Sequence, residues 1–143
     1  MVNNVETLST NPAIIANSKE WYRGFGTAES PGTMVCTVSG DTVRHGVGEF
    51  ELGTPVATVI AELGGGMADG RAIKYVLSGV SNPVLHGELI DTPLTYEHME
   101  AVGAGLGTGG FIVYDDCTDP AELAYAVSRF LGIESCGQCS ACK

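Results

Sequence analysis

Three cysteines near the end of the chain are the residues whose type and spacing most directly indicate chemistry. Cys136, Cys139 and Cys142 follow a Cys-x-x-Cys-x-x-Cys pattern. Thiolates separated by two intervening residues return to the same side of the backbone, and such a run typically holds three corners of a [4Fe–4S] cluster. A cubane has four ligands, so the fourth is expected from another segment, another chain or a non-protein ligand. The pattern therefore predicts an electron-transfer centre.

Two other kinds of site compete with that interpretation of the triplet. A structural zinc site usually uses two separated Cys-x-x-Cys pairs or adds histidine, and His45, His86 and His98 lie far from the triplet in sequence. A redox-active tail without metal is the second alternative. The remaining cysteines, Cys36 and Cys117, are predicted to be small buried or half-buried residues, because free cysteine is among the most buried residue types.

The charge and composition of the chain narrow the class of partner. The net charge of -10, with only seven basic residues, argues against nucleic acid, whose phosphates require lysine and arginine. No apolar run approaches the length of a membrane span, so direct membrane insertion is not expected. The crowding of cysteines at one end favours metal ligation in a reducing cytosol over a disulfide framework.

Turn residues and hydrophobic periodicity predict an α+β fold. Helices are predicted over 11–23, 54–63, 95–102 and 119–131, and strands over 33–38, 46–52, 72–77 and 111–114. Two strands, a crossing helix and two further strands are the layout of a β-grasp, ubiquitin-like core, here with flanking helices and a C-terminal cysteine loop. The glycine-rich stretch 103–110 is predicted to be a turn, because it precedes a strand, whereas phosphate-binding loops open a helix.

Five motifs spread over nearly the whole chain are specific in combination. They are VNNVET at 2–7, VSGD at 38–41, LGTP at 52–55, LGTGG at 106–110 and ESCGQC at 134–139. With them the chain resembles the NADH-binding flavoprotein subunit of respiratory complex I, the family of the 51 kDa subunit. It is also similar to the diaphorase subunits of NAD-linked hydrogenases and formate dehydrogenases. The cysteine motif with its Glu-Ser-Cys-Gly lead is the strongest single element of this resemblance.

The resemblance implies a division into three parts. Residues 1–30 would be the tail of an FMN-binding domain with a helix, 31–116 a soluble-ligand-binding β-grasp domain, and 117–143 a helix and the start of an iron–sulfur domain. The family's glycine-rich flavin and nicotinamide loops precede its Asn-Asn segment, and its fourth cluster cysteine follows the triplet. The sequence is therefore expected to be an internal piece of such a subunit.

The resemblance also implies site residues. Asn3, Asn4 and Thr7 match family residues that contact FMN, although composition alone favours a simple polar turn for them. The cysteine triplet matches three of the four ligands of the [4Fe–4S] centre that takes electrons from the flavin. The flavin carries the chemistry, so no residue of this chain is expected to act as an acid or base.

The implied activity belongs to the complete subunit. It oxidises NADH through FMN and passes electrons to the cluster, as part of NADH:quinone oxidoreductase, so this chain alone is not expected to be catalytically competent. The expected partners are other subunits of an NADH-oxidising complex, and the expected location is cytoplasmic, peripheral to the inner face of the membrane. The alternative is a stand-alone β-grasp binding or interaction module with a vestigial cysteine motif.

Several apolar side chains are expected to be exposed on the first and last helices. In a complete subunit they would pack against neighbouring domains, and in this chain alone they would favour self-association. These residues are Ile14, Ile15, Trp21 and Tyr22 on the first helix and Phe130 and Leu131 on the last.

Overall fold

Five strands form one mixed sheet in the computed structural model, which describes residues 2–138. The strands are β1 (Thr33–Gly40), β2 (Gly46–Glu51), β3 (Ile73–Leu77), β4 (Leu85–His86) and β5 (Gly110–Asp115). Their order across the sheet is β2-β1-β5-β3-β4. The central pair, β1 and β5, is parallel, and the other neighbouring pairs are antiparallel.

Five α-helices accompany the sheet. They are α1 (Val5–Asn17), α2 (Lys19–Tyr22), α3 (Val56–Gly64), α4 (Tyr96–Ala101) and α5 (Pro120–Glu134), with short 3-10 turns at Ala68–Gly70 and Gly87–Leu89. Within residues 2–138 no helix combines the length and apolar character that a membrane crossing requires. The predicted α+β class is confirmed by this mixture of sheet and helices.

The hydrophobic core lies between α3 and one face of the sheet. Val56, Val59 and Ile60 are buried on α3, at the i, i+3, i+4 spacing that predicted this helix. They belong to one apolar cluster with alternating residues of the central strands, such as Val38 and Phe111. Burial of each such side chain contributes roughly 1.5–3 kcal/mol. This layer fixes the hairpin of β1 and β2, which was also predicted.

The last helix is only partly buried. Leu123 and Val127 are half-buried and line one groove with Tyr75 and Leu77 of β3. No residue of α5 is fully buried. Phe130 and Leu131 are exposed, as predicted for the last helix, and Ala126 is exposed as well. Only one side of α5 faces the sheet in the described part of the chain.

Several boundaries also differ from the sequence prediction. Helix α1 begins at Val5 and carries Pro12 in its interior, where a start at Asn11–Pro12 was predicted. Helix α5 continues through Gly132, which was predicted to end it. The two-residue strand β4 was not predicted, since so short a pairing leaves no periodic pattern.

The glycine-rich stretch before β5 forms a turn, as predicted. Gly107 has φ 64°, and a Cβ added to it would lie 2.2 Å from the Ser78 carbonyl oxygen. The Ser78 hydroxyl donates to the Gly105 carbonyl, and the Asn82 side-chain amide donates to the Ser78 hydroxyl at 3.2 Å. The glycines therefore allow a close approach between this turn and the loop after β3.

Candidate functional site

The predicted flavin contacts lie at the start of α1. Asn4 is the N-cap of this helix, and its Oδ1 accepts the backbone N–H of Glu6 at 2.8 Å. This bond satisfies one of the free N–H groups of the first helical turn. Asn3 precedes the cap and Thr7 lies in the first turns, and both are exposed. The structure thus brings the three residues into one capped helix start.

A carboxylate next to these residues ties α1 to the sheet. Glu6 Oε1 accepts the backbone N–H of Val35 in β1 at 2.7 Å. Two residues later, the N–H of Thr37 donates to the carbonyl of Gly109 at 2.8 Å, where the neighbouring β5 strand begins. Glu6 therefore supplies the acceptor on the β5 side of Val35, where pairing of β1 with β5 has not yet begun. Its place in the VNNVET motif was the only sign of this residue in the sequence.

Two grooves flank α1, and two of the predicted flavin contacts line one of them. This polar groove has a volume of about 520 Å³, and its polar lining includes Asn4, Thr7 and Thr10 of α1, the carboxylate of Glu6, and Tyr96 and Thr108. Hydroxyl and amide groups of this kind suit the uncharged polar edges of a flavin. None of the described residues that line the groove is basic, so these side chains would not hold the phosphate.

The second groove has a volume of about 950 Å³. It shares five lining residues with the first: Asn4, Glu6, Thr10, Tyr22 and Thr33. It lies between α1, α2 and the hairpin of β1 and β2, and we call it the acidic groove. Its characteristic residues are Glu6, Glu49 and Glu51 with the aromatic side chains Trp21, Tyr22 and Phe25. Sequence reasoning did not find it, because its residues come from separate elements.

Of the predicted cluster ligands, the structure describes Cys136. It is an exposed free thiol that follows the end of α5. The Ser135 hydroxyl accepts the backbone N–H of Gly137 at 3.2 Å, and Gly137 has φ 69°. Cys139 and Cys142 lie outside the described residues. The geometry at Cys136 is that of an accessible thiol on a turn directly after a helix.

A buried carboxylate fixes the junction that leads into α5. Asp115 ends β5 and is 6% exposed. Its Oδ2 accepts from the Arg71 guanidinium at 2.5 Å, and its Oδ1 accepts the backbone N–H of Cys117 at 2.9 Å. The hydrogen bond from Arg71 lowers the pKa of the Asp115 carboxyl below its usual range. Lys74 adds a bond to the Thr118 carbonyl at 2.8 Å.

At this junction, one of the two predictions about the remaining cysteines is wrong. Cys36 is fully buried, as predicted, but Cys117 is exposed. Cys117 follows Asp115 and Asp116, and one possible ligand atom from each of the three lies within 4.8 Å of the others. Asp115 is already bonded to Arg71, so the arrangement is explained by the turn that starts α5.

Subunits of two oxidoreductases match this chain along its whole length. It is 35% identical to a subunit of the NADH-quinone oxidoreductase of Rhizobium meliloti, over 100% of this chain and 34% of that protein. It is 37% identical to NADP-reducing hydrogenase subunit HndC of Solidesulfovibrio fructosivorans, over 100% of this chain and 29% of that protein. The chain is homologous to a segment of these oxidoreductase subunits. No protein-family model matches it.

A solved structure agrees with this relationship. The crystal structure of an NAD+-reducing [NiFe]-hydrogenase in the air-oxidised state superposes with a TM-score of 0.83 at 33% identity. The match covers 99% of this chain and 24% of that chain. The chain spans about a third of the length of the curated relatives it matches. The predicted resemblance is therefore confirmed for a segment of these subunits.

Proposed function

We propose that this chain is part of an NADH-oxidising flavoprotein subunit that passes electrons from NADH through FMN to a [4Fe–4S] cluster. The observation that carries the proposal is the match of the whole chain to the quinone oxidoreductase and hydrogenase subunits at 35% and 37% identity. Its partners would be other subunits of an NADH-oxidising complex. Its location would be cytoplasmic, peripheral to the inner face of the membrane.

The cluster would be held by Cys136, Cys139 and Cys142, with a fourth ligand from elsewhere. The exposed position of Cys136 after α5 supports this role, because a ligand thiolate must reach the metal without unfolding a core. Asp115 and Arg71 would be positioning residues, since they fix the start of the helix that leads to Cys136. The chemistry that the cluster supplies when bound is one-electron transfer.

FMN would lie against the start of α1, with Asn3, Asn4 and Thr7 as contacts. Asn4 and Thr7 line the polar groove, and both offer uncharged hydrogen-bonding groups. Asn3 precedes them on the exposed turn. The flavin when bound would accept a hydride from NADH. The protein's own contribution here would be orientation, through hydrogen bonds to the polar edges of the ring and side chain.

The domain boundaries 1–30, 31–116 and 117–143 remain our proposal, as does the β-grasp identity of the middle part. The strand order β2-β1-β5-β3-β4 and the helix α3 packed across one face support that identity. This core favours a second candidate function, a β-grasp binding module with a vestigial cysteine motif. In that case the cysteines would hold no cluster.

One experiment distinguishes the two candidates. The 143-residue chain is reconstituted anaerobically with iron and sulfide, and iron content and the EPR spectrum of the dithionite-reduced sample are measured. About four irons per chain and a cubane signal are expected, retained in Cys117→Ser and lost in Cys136→Ser. The Cys117 variant is the matched control, because it removes an exposed thiol outside the triplet. Iron at background would mean that the cluster needs a ligand from outside this chain, whereas iron binding unaffected by Cys136→Ser would favour the binding module.

Flavin contact is tested separately by titrating FMN and following its fluorescence. Thr7→Val removes the hydroxyl at nearly constant shape, and weaker FMN binding is expected. Thr58→Val is the control, since Thr58 lies on α3 and does not line either groove beside α1. Equal FMN affinity of both variants and the parent chain would show that the Thr7 hydroxyl does not contact the flavin.

A further inference from the structure

The acidic groove carries an excess of negative charge on one surface. Glu49 and Glu51 are two residues apart on β2, so both side chains lie on the same face of the sheet. Glu6 reaches the groove from α1, and Val35 lies opposite Glu49 in the strand register. No lysine or arginine is among the described residues that line the groove. The residues that line the groove therefore do not neutralise its negative charge.

Each of these carboxylates is held in place by a neutral donor. Glu6 accepts the Val35 N–H at 2.7 Å, and Glu49 accepts the Thr33 hydroxyl at 2.5 Å. Glu51 accepts the Gly26 N–H at 3.4 Å. None of the three carboxylates forms an ion pair within residues 2–138. They are thus oriented by neutral hydrogen bonds while their charge stays available to a cation.

Aromatic rings also line the groove. The rings of Trp21 and Phe25 meet edge to face, with centroids 5.2 Å apart and an interplanar angle of 81°. Trp21 is 40% exposed although it is a large apolar side chain, and Tyr22 lines the groove beside it. A cation over the face of a tryptophan or tyrosine ring is attracted by the ring quadrupole.

We propose that the acidic groove binds an arginine side chain presented by a partner protein. A guanidinium can stack on an aromatic ring and at the same time donate two hydrogen bonds to a carboxylate, which an ammonium group cannot do. The groove volume of about 950 Å³ also accommodates residues that flank the arginine. The net charge of -10 steers a basic segment towards this chain. The acidic groove borders the proposed flavin site, because Asn4 and Glu6 line both grooves, but Trp21, Glu49 and Glu51 line the acidic groove and not the polar one.

The test uses peptides that differ only in the central residue. A short peptide with one central arginine is compared with its citrulline and lysine counterparts. Trp21 is the single tryptophan of the chain, so its fluorescence reports on the groove, and amide shifts of β2 in NMR spectra give a second readout. The arginine peptide is expected to bind saturably. The citrulline peptide is expected to bind at least about fivefold more weakly, because citrulline cannot form the charge-assisted hydrogen bonds.

Matched variants separate the groove from general electrostatics. Glu49→Gln and Glu51→Gln are each expected to weaken binding of the arginine peptide at least about fivefold. Glu62→Gln makes the same charge change on α3, outside the groove, and is expected to leave binding within about twofold of the parent. Equal effects of all three variants, equal binding of the citrulline peptide, or no response at millimolar arginine peptide would each overturn the proposal.

Discussion

Glu6 on α1 and Val35 on β1 are joined by a hydrogen bond of 2.7 Å between the carboxylate and the backbone N–H, across 29 positions of sequence. Strand β5 pairs with β1 from Thr37 onward, so Val35 has no strand neighbour on that side. A side chain thus occupies the place of a backbone carbonyl. The bond fixes the helix start that carries Asn4 and Thr7 against the sheet.

Removing this carboxylate should loosen the edge of β1. In Glu6→Ala the Val35 N–H loses its acceptor, and a hydrogen bond to a charged group contributes about 1.5–3 kcal/mol. We expect amide hydrogen exchange at Val35 to become at least about tenfold faster. Two-dimensional NMR after transfer to D2O measures this directly.

Glu20→Ala is the control for that experiment. Glu20 lies on α2, is 71% exposed in its side chain, and contacts Lys19 at 3.6 Å. Like Glu6→Ala, the Glu20→Ala substitution removes one negative charge, but Glu20 forms no hydrogen bond to β1. Amide exchange at Val35 should therefore stay at the parent rate. Unchanged exchange at Val35 in Glu6→Ala would show that this bond does not protect the strand edge.

The glycine-rich turn gives a prediction with two closely matched sites. Gly107 and Gly103 both have left-handed φ values, 64° and 74°. A Cβ on Gly107 would lie 2.2 Å from the Ser78 carbonyl oxygen, whereas a Cβ on Gly103 would have no atom within 4 Å. Gly103→Ala should therefore cost only the conformational term of about 1–2 kcal/mol.

Gly107→Ala adds a steric clash to that same conformational term. We expect a clearly larger loss in the free energy of unfolding than for Gly103→Ala, by about 1–3 kcal/mol. Urea unfolding of both variants at neutral pH measures the difference. Equal losses would mean that the loop after β3 moves aside at little cost.

The parts of the fold that could be predicted are those with strong local patterns. The face of Val56, Val59 and Ile60 identified α3, because three apolar side chains at helical spacing leave little alternative. The start of α1 was missed, since Pro12 suggested a first helical position while Asn4 supplied the actual cap. Propensity at a single residue could not decide between two acceptable starts.

The site was predictable only where its residues form a contiguous motif. Asn3, Asn4, Thr7 and the cysteine spacing could be found in this way. The bond from Glu6 to Val35 and the lining of the acidic groove depend on tertiary packing between distant segments. No local pattern in a single sequence encodes such contacts.

The Asp115–Arg71 pair should make stability depend on pH in acid. The hydrogen bond from Arg71 lowers the folded-state pKa of Asp115 below the ordinary value of about 3.9. Its stabilisation is therefore complete above that ordinary value and is lost as the pH falls through the lower, folded-state pKa. Asp115→Asn should lower the free energy of unfolding at neutral pH. The difference from the parent chain should shrink as the medium becomes strongly acidic.

Urea unfolding at several pH values between about 3 and 7 would measure this dependence. Asp116→Asn is the control, because the neighbouring Asp116 is exposed. Its free energy of unfolding should stay close to that of the parent chain throughout. A gap between Asp115→Asn and the parent that remains constant down to the acid end of that range would contradict an ionic role for Asp115.

The thiols of the described residues should differ strongly in reactivity. Burial raises the pKa of the Cys36 thiol to about 11, and the nearby charge of Glu6 acts in the same direction. At a pH of about 8 only about one Cys36 thiol in a thousand would be ionised, and its side chain is out of contact with solvent. Cys117 and Cys136 are exposed, so they should react with iodoacetamide first.

Mass spectrometry of proteolytic peptides after brief alkylation at mildly alkaline pH resolves the three sites. We expect Cys117 and Cys136 to be labelled within minutes and Cys36 only after urea is added, because the thiolate is the reactive form and burial blocks the reagent. Cys36→Ala should leave the labelling of the other two unchanged. Labelling of Cys36 at the rate of Cys117 in the folded chain would mean that β1 opens locally, and the Glu6→Ala variant would then be expected to accelerate it further.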